Sequence, residues 1–269
     1  MSFAGLELAQ RLERAEAAAS VAFIEAHRHL SPESGAEWMA CAGAFALFDG
    51  AESPLTQSFA LGIFSPPSPA EFDTLEAFFH SRGAAASHEV SPLAGIDLAA
   101  TLVGRGYLPI EFTSVLYRPV EPTPSDNPRV SVRRLDPGEE QLWSKLSAAA
   151  WSSDHPELHA FLLDLGHIVA SAAGAVPFLA LLDGKPAGTA VLRCDSGVAI
   201  FAGAATVPDA RNRGVQRALL EARMRHAAAN GCDLAMMCAS PGSASQRNAE
   251  RQGFRIAYTR TKWSLPPRT

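Results

Sequence analysis

The sequence predicts an α/β (α+β) fold made of two similar halves. Each half has the predicted order strand, helix, strand, helix, strand. Two observations lead to this prediction. Apolar strand-like segments alternate with helix-like segments twice along the 269 residues. In addition, a glycine followed by an aromatic residue precedes the last strand of each half, at Gly106-Tyr107 and Gly253-Phe254. The chain is long enough for two domains, and the repeated junction favours a duplication.

The boundary between the halves is the proline-rich segment YRPVEPTPSDNPRV, residues 117–130. Prolines, acids and small polar residues cannot bury enough surface to fold, so such a segment stays extended. The strand-like segment VSVRRL follows it. We therefore expect an N-terminal domain over residues 1–120, a linker over 121–129 and a C-terminal domain over 130–269.

The elements of the two halves can be read in parallel. In the first half they are SFALGIF (58–64), PAEFDTLEAFFHSRG (69–83), AASHEVSP (85–92), IDLAATLVGRGY (96–107) and LPIEFTSVLYRPV (108–120). In the second half they are GVAIFAGAATV (197–207), RGVQRALLEARMRHAAANG (213–231), DLAMMCAS (233–240), SASQRNAERQGF (243–254) and RIAYTRTKWSL (255–265). The strands are rich in apolar residues, and glycines stand at the ends of the helices.

The halves differ in the connection between the first of these strands and its helix. The second half has the longer segment PDARNRGVQRALL, residues 208–220, where the first half has SPPSPAE. Backbone amides at the start of a helix and the helix dipole attract an anion, whereas prolines lack the N–H groups to do so. Gly214 would let a ligand approach the backbone, and Arg211, Arg213 and Arg217 can pair with phosphate oxygens. The segment therefore predicts a phosphate or pyrophosphate site; a solvated cationic helix face is the alternative.

Composition excludes several other classes. A net charge of −5 disfavours non-specific binding to nucleic acid. The nucleotide-binding patterns GxxxxGK[ST] and GxGxxG after a strand are absent. The four cysteines form no CxxC pair and have no histidine at metal-ligand spacing, so we expect no metal. With no segment resembling a signal peptide or a membrane span, we expect a cytoplasmic protein without a membrane partner.

The segment VPDARNRGVQRALL resembles the acyl-CoA pyrophosphate loop of the GCN5-related N-acetyltransferase (GNAT) family, whose pattern is Q/R-x-x-G-x-G/A. Arg211, Gly214 and Gln216 occupy the three defined positions. The preceding AATVP resembles the family's fourth strand, and SASQRNAERQGF resembles its next helix and Gly-Phe junction. The resemblance covers residues 128–265 in element order. The first half, which has the Gly-Tyr junction but no loop, resembles a degenerate copy, as in tandem members of the family.

The resemblance implies that each half has a mixed, mostly antiparallel central sheet flanked by helices. It implies an acetyl-CoA-dependent N-acetyltransferase, in which a small-molecule or peptide amine attacks the thioester directly in a ternary complex. Where the family has Gly or Ala, Gln216 would make contact through its backbone N–H. Ser245 is either a cofactor contact or the cap of its helix. The residues expected to bind coenzyme A are Ala204, Ala205, Thr206, Val207, Arg211, Asn212, Arg213, Gly214, Val215, Gln216, Arg217, Ser245 and Asn248.

The catalytic residues are less well defined. The family's frequent tyrosine acid aligns with Ala249, so Tyr258 is the nearest candidate acid, with packing in its strand as the alternative. Candidate bases are Asp154, His155, Glu157 and His159; for the two acids the alternative is the position of an N-cap or of a first-turn acid beside Pro156. Cys238 either reaches the thioester or is a buried inert thiol. A non-catalytic acyl-CoA-binding or partner-binding protein stays open as a second function, and the sequence leaves the oligomeric state open.

Overall fold

The structure is a computed structural model that describes residues 4–121, 127–153 and 156–267. Residue contacts divide the chain into two compact units. The first unit comprises Met1–Arg118 together with Met237–Thr269, and the second comprises Pro119–Met236. None of the helices in the described ranges combines the length and hydropathy that a membrane span requires.

Along the described chain the helices are α1 (Leu6–Leu30), α2 (Pro69–His80), α3 (Ile96–Arg105), α4 (Glu140–Trp151), α5 (His159–Ser171), α6 (Val215–Ala229) and α7 (Ala244–Arg251). The strands are β1 (Glu37–Cys41), β2 (Ala44–Phe48), β3 (Gln57–Phe59), β4 (Ala86–Val90), β5 (Leu108–Pro119), β6 (Val130–Arg134), β7 (Ala175–Leu182), β8 (Lys185–Asp195), β9 (Val198–Thr206), β10 (Leu234–Ala239) and β11 (Arg255–Leu265). The α+β class predicted from the sequence is confirmed.

In the first unit the strands lie in the order β1-β2-β3-β4-β11-β5. Only the pairing of β3 with β4 is parallel among these strands; the others are antiparallel. The core of this unit is aromatic and aliphatic, with Phe72, Phe79 and Tyr107 among its fully buried side chains. The predicted strand SFALGIF is shorter than expected, because Ala60 (φ +67°) and Gly62 (φ +73°) turn the chain after Phe59.

In the second unit the strands lie in the order β10-β9-β8-β7-β6. Here β9 and β10 are parallel and the other pairs are antiparallel. Helix α4 contacts β8 and β9, while α6 contacts β7, β8 and β9. The buried Trp143 of α4 donates its indole N–H to the carbonyl of Phe178 on β7 at 3.0 Å, which holds the helix against the sheet.

The helix ends show why the glycine–aromatic junctions recur. Gly106 follows α3 with φ +92°, and Tyr107 N–H then bonds to Leu102 C=O at 3.0 Å. Gly253 follows α7 with φ +84°, and Phe254 N–H bonds to Ala249 C=O at 3.1 Å. This left-handed C-terminal cap satisfies helix carbonyls and favours glycine, which has no Cβ to clash. The same cap follows α2 at Gly83 and α6 at Gly231, so it explains why glycines stand at these helix ends.

The last strand departs from the expected sequential domains. Strand β11 pairs with β4 from Thr261↔Val90 to Leu265↔Ala86, and with β5 from Arg255↔Tyr117 to Ser264↔Leu108. Because its backbone hydrogen bonds go to these two strands, β11 belongs to the first unit together with α7. The expected C-terminal domain of residues 130–269 therefore contributes its final helix and strand to the compact unit formed by the N-terminal residues.

Candidate functional site

The segment PDARNRG forms a turn between β9 and α6 in the second unit. Ala210 N–H bonds to Val207 C=O at 3.0 Å and Arg211 N–H bonds to Pro208 C=O at 3.1 Å, which tightens its first part. Asn212 (φ +59°) and Gly214 (φ +86°) then adopt left-handed conformations. Gly214 is the N-cap of α6 and gives that helix no side-chain cap. The amides of the first helical turn have no helical carbonyl to bind, so they are available to an anion.

The corresponding helix of the first unit begins differently. Helix α2 has a capping box, in which Ser68 Oγ accepts from Glu71 N–H at 3.3 Å and Glu71 Oε2 accepts from Ser68 N–H at 2.7 Å. These hydrogen bonds hold the pKa of Glu71 below its usual range, so a negative charge of the protein itself occupies the positive end of α2. The start of α6 has no such group, which is the feature an anion site requires.

The three arginines of the loop are exposed and each contacts a protein group. Arg211 donates to Ser153 Oγ at 2.6 Å, Arg213 lies 3.5 Å from Asp183 Oδ2, and Arg217 donates to Glu221 Oε1 at 2.7 Å. The Arg213–Asp183 pair is exposed, and such a pair contributes only about 0–1 kcal/mol, so a phosphate can compete for Arg213. Glu221, the partner of Arg217, is buried. The loop therefore offers cations as well as amides to an anionic ligand.

Close contacts between backbone and side chains join β8, β9 and the first turn of α6. Gln216 Nε2 donates to Thr206 Oγ1 at 2.8 Å, and Val207 N–H donates to Ala187 C=O at 3.0 Å. A Cβ on Gly188 would lie 2.7 Å from the Ala205 carbonyl and 2.8 Å from Val215 Cγ1. Gly188 on β8 therefore allows β9 and α6 to pack this closely against that strand. It was not among the residues expected from the sequence.

Strand β9 contains a bulge immediately before the loop. Thr189 pairs with Ala205 and Val191 pairs with Ala202, so Gly203 and Ala204 together oppose the single residue Ala190. Gly203 has φ +59°, as the first residue of one class of bulge does. Sequence reasoning missed Gly203, although a glycine inside an apolar strand pattern is a recognised sign of a bulge. A bulge leaves backbone groups outside the regular ladder, where a ligand can bind them.

Asn127, at the end of the described part of the linker region, lies against the loop. Its side-chain Nδ2 donates to the Arg213 carbonyl at 2.9 Å, and its Oδ1 accepts from Arg129 N–H at 3.1 Å. A Cβ on Gly214 would lie 2.6 Å from this Nδ2 atom. Asn127 was also missed, because nothing in its sequence neighbourhood indicates a contact with residues so far along the chain.

The structure places Tyr258, Ser245 and Asn248 in the first unit. The Tyr258 hydroxyl is buried and donates to Glu13 Oε1 at 2.8 Å, and burial raises its pKa above the usual value. Ser245 and Asn248 are exposed on α7. The suggestion that Ser245 caps this helix is wrong: Ser243 is the N-cap, and its Oγ accepts from Gln246 N–H at 3.1 Å.

Cys238 also belongs to the first unit and has an inert environment. Its Sγ lies 3.4 Å from Glu16 Oε1 and 3.2 Å from Arg260 Nη2. Burial raises the pKa of this thiol well above its usual value, so the reactive thiolate is not formed near neutral pH. The interpretation of Cys238 as an inert thiol fits this half-buried environment.

The candidate bases follow α4 in the sequence. Asp154 and His155 are outside the described residues. Glu157 is exposed in the first turn of the short 3-10 helix Pro156–Leu158, which fits the alternative of a first-turn acid beside Pro156, and the N-cap of α5 is Leu158. His159 begins α5, and its Nδ1 lies 3.0 Å from Ser152 Oγ. In the described parts of the chain, no group of three His, Cys, Asp or Glu side chains has the arrangement of a metal site.

Residues 139–254 match the family model described as Acetyltransferase (GNAT) family. A comparison with curated protein sequences gives no significant match. Among solved structures, a GCN5-related N-acetyltransferase from Kribbella flavida is similar, with 22% identity, coverage of 92% of this chain and 96% of the other, and a TM-score of 0.64.

Two further solved structures support the same fold. A tandem GNAT protein from the clavulanic acid biosynthesis pathway has 11% identity, covers 91% of this chain and 87% of its own, and has a TM-score of 0.61. A GCN5-related N-acetyltransferase from Sphaerobacter thermophilus has 16% identity, coverage of 84% and 77%, and a TM-score of 0.54. At these identities the likeness concerns the fold, and it extends over both halves of the chain.

Proposed function

Because residues 139–254 match the family model of the GNAT acetyltransferases, we propose that the protein transfers an acetyl group from acetyl-CoA to an amine. The acceptor is a small-molecule or peptide amine that attacks the thioester directly in a ternary complex. Acetyl-CoA supplies the activated acyl group, so the reaction needs no protein nucleophile and no metal. The cytoplasmic location expected from the sequence stays a prediction.

The start of α6 is the observation that carries the proposal. Gly214 in its left-handed conformation, the absence of a side-chain cap and the neighbouring arginines fit a diphosphate group. We propose that the amides from Asn212 to Arg217 hold this diphosphate. The end of β9 from Ala204 to Val207, immediately before the loop, would bind the pantetheine arm. The contacts expected from the sequence for Ser245 and Asn248 stay a prediction.

Two further tasks fall to this chain's residues. An alkyl amine with a pKa of about 10 is protonated at neutral pH, and uncovering its lone pair costs about 4 kcal/mol. A general base lowers this cost, and Asp154, His155 and Glu157 are the candidates. The thioester carbonyl must also be polarised, and the backbone amides at the end of β9, among them those of Ala205 and Thr206, are the proposed donors.

The environment of Tyr258 favours a second candidate function. Its hydroxyl already donates to Glu13 and is buried, so the expected general acid is committed to a structural hydrogen bond. A protein that binds acyl-CoA without turning it over would need no acid at this position. Non-catalytic acyl-CoA binding is therefore the alternative to acetyl transfer.

Paired glycine substitutions at the two ends of α6 test the proposal. Gly214→Ala and Gly231→Ala both put a Cβ on a left-handed residue, at φ +86° and φ +72°, which costs about 1–2 kcal/mol of stability in each case. The Cβ at position 214 also meets Asn127 Nδ2 at 2.6 Å, whereas the Cβ at position 231 points into open space. Only the first alters the proposed site. We expect Gly214→Ala to weaken coenzyme A binding by roughly tenfold or more, whereas Gly231→Ala binds like the wild type.

Binding is measured by calorimetry, and turnover by release of the free thiol from acetyl-CoA across a panel of amines. Turnover with at least one amine supports acetyl transfer. Tight binding of acetyl-CoA without turnover on any amine supports the non-catalytic alternative. Equal loss of binding in the two glycine variants would contradict the assignment of the diphosphate to the start of α6.

A further inference from the structure

Helix α6 also contains Arg223, whose guanidinium group is not part of the proposed phosphate site. The Arg223 side chain points into the second unit, and the residue is only 3% exposed. Burial lowers its pKa to about 9, with no charged neighbour contributing to the shift. The one acid of this helix, Glu221, pairs with Arg217 instead. Within the described ranges no carboxylate forms an ion pair with Arg223. Burying a cation without such a partner costs folding free energy.

The hydrogen bonds of Arg223 explain where this charge is directed. Its Nη1 donates to the Val191 carbonyl at 3.2 Å and to the Ala202 carbonyl at 3.3 Å. Its Nε donates to the Leu219 carbonyl of its own helix at 3.2 Å, and its guanidinium lies 4.8 Å from the centre of the Phe201 ring. Val191 and Ala202 are the last regular pair of β8 and β9 before the bulge at Gly203.

These contacts bear directly on the backbone of the bulge. A carbonyl that accepts from a guanidinium group polarises its own peptide unit, so the N–H of the next residue becomes a stronger donor. For the Ala202 carbonyl this N–H belongs to Gly203. A positive charge in a weakly screened interior also favours negative charge that develops nearby.

We propose that Arg223 is a positioning residue for acetyl transfer, which fixes the β9 bulge through the Ala202 carbonyl and strengthens the Gly203 N–H, next to the amides proposed to polarise the thioester. The inference rests on the proposed function and deepens it, because it assigns a residue that does not itself reach the loop. Arg223 acts through the backbone, so its removal changes the rate of the chemical step more than the affinity for coenzyme A.

Three substitutions separate the charge from the hydrogen bonds. Arg223→Met removes both, Arg223→Gln keeps an amide donor without charge, and Arg223→Lys keeps the charge. Arg225→Met on the exposed face of the same helix is the matched control. We expect Arg223→Met and Arg223→Gln to lower kcat at saturating acetyl-CoA by roughly tenfold or more, with Arg223→Lys recovering most of the rate. The Kd for coenzyme A should change by less than about threefold, since the diphosphate loop is unaltered.

Hydrogen exchange provides a readout that does not require turnover. Arg223→Met should increase exchange in peptides covering residues 199–206, whereas Arg225→Met should not.

If Arg223→Met fails to fold, the comparison of the Lys and Gln variants decides in the same assays. A folded Arg223→Gln variant with wild-type kcat, or unchanged exchange at residues 199–206 in the neutral variants, overturns the proposal. If the wild type turns over no amine, the proposed function and this catalytic role both fail, while the exchange measurement still decides whether Arg223 fixes the bulge.

Discussion

At the scale of single residues, His88 shows how burial alone sets a chemical property. It is fully buried on β4, with Nδ1 at 2.6 Å from Ser58 Oγ and Nε2 at 3.0 Å from the Tyr107 hydroxyl. Burial lowers its pKa to about 3, so the imidazole is neutral in the folded protein at any physiological pH. A serine next to a histidine can suggest a nucleophile, but Ser58 is 0% exposed and no substrate reaches it.

This lowered pKa predicts a pH-dependent stability. The unfolded chain takes up a proton at His88 below about pH 6.5, and the folded protein does not, so stability is lost as the pH falls from there toward 3. The contribution is at most about 1.4 kcal/mol per pH unit. We expect His88→Gln to be destabilised at neutral pH but to show a shallower loss of unfolding free energy between pH 6.5 and 4. Denaturant titrations measure this, with the exposed His29→Gln as control. Parallel pH profiles for the wild type and His88→Gln would contradict the assignment.

At the scale of secondary-structure elements, the two helices α2 and α6 differ where it matters for a ligand. Ser68 and Glu71 occupy the start of α2, whereas Gly214 leaves the start of α6 without a side-chain cap. We therefore predict that each chain binds one coenzyme A. Calorimetry with acetyl-CoA should give a stoichiometry of one per chain in the wild type, with affinity falling in Gly214→Ala. A second site that survives in Gly214→Ala would contradict the prediction that the first half has lost the loop.

At the scale of the whole molecule, the first unit needs the end of the chain. Strand β11 lies between β4 and β5, and its buried Arg260 pairs with Glu16 at 2.7 Å and lies near Glu13 and Glu89. Without β11 the facing edges of β4 and β5 lose their backbone partners, and Glu13 stays buried without Tyr258 and Arg260. Breaking a buried ion pair by removing one partner costs about 3–5 kcal/mol.

We therefore expect residues 1–125 produced alone to be unfolded or aggregated, although the sequence predicts a domain that ends near residue 120. Circular dichroism and the dispersion of amide NMR signals measure this. The matched test adds residues 237–269 as a separate peptide, which should restore structure if the missing strand is the cause. A cooperatively folded fragment of residues 1–125 would show that β11 is dispensable for the first unit.

The sequence by itself determined the features that depend on neighbouring residues. Glycines marked the helix ends at Gly106 and Gly253, the proline-rich segment marked a change of unit, and PDARNRG marked the turn before α6. These follow from local backbone conformation and from apolar periodicity, which short segments contain in full. The same local pattern carried the resemblance to the family that the comparisons support.

Only the tertiary structure decided which distant residues meet. It placed β11 between β4 and β5, Asn127 against Gly214, and the Arg223 guanidinium beneath the bulge of β9. Each of these contacts joins segments that are far apart along the chain and that no local periodicity connects. From the sequence alone, Arg223 cannot be distinguished from the exposed arginines of the same helix. Its burial depends on how the helix packs in the folded molecule and not on the type of residue.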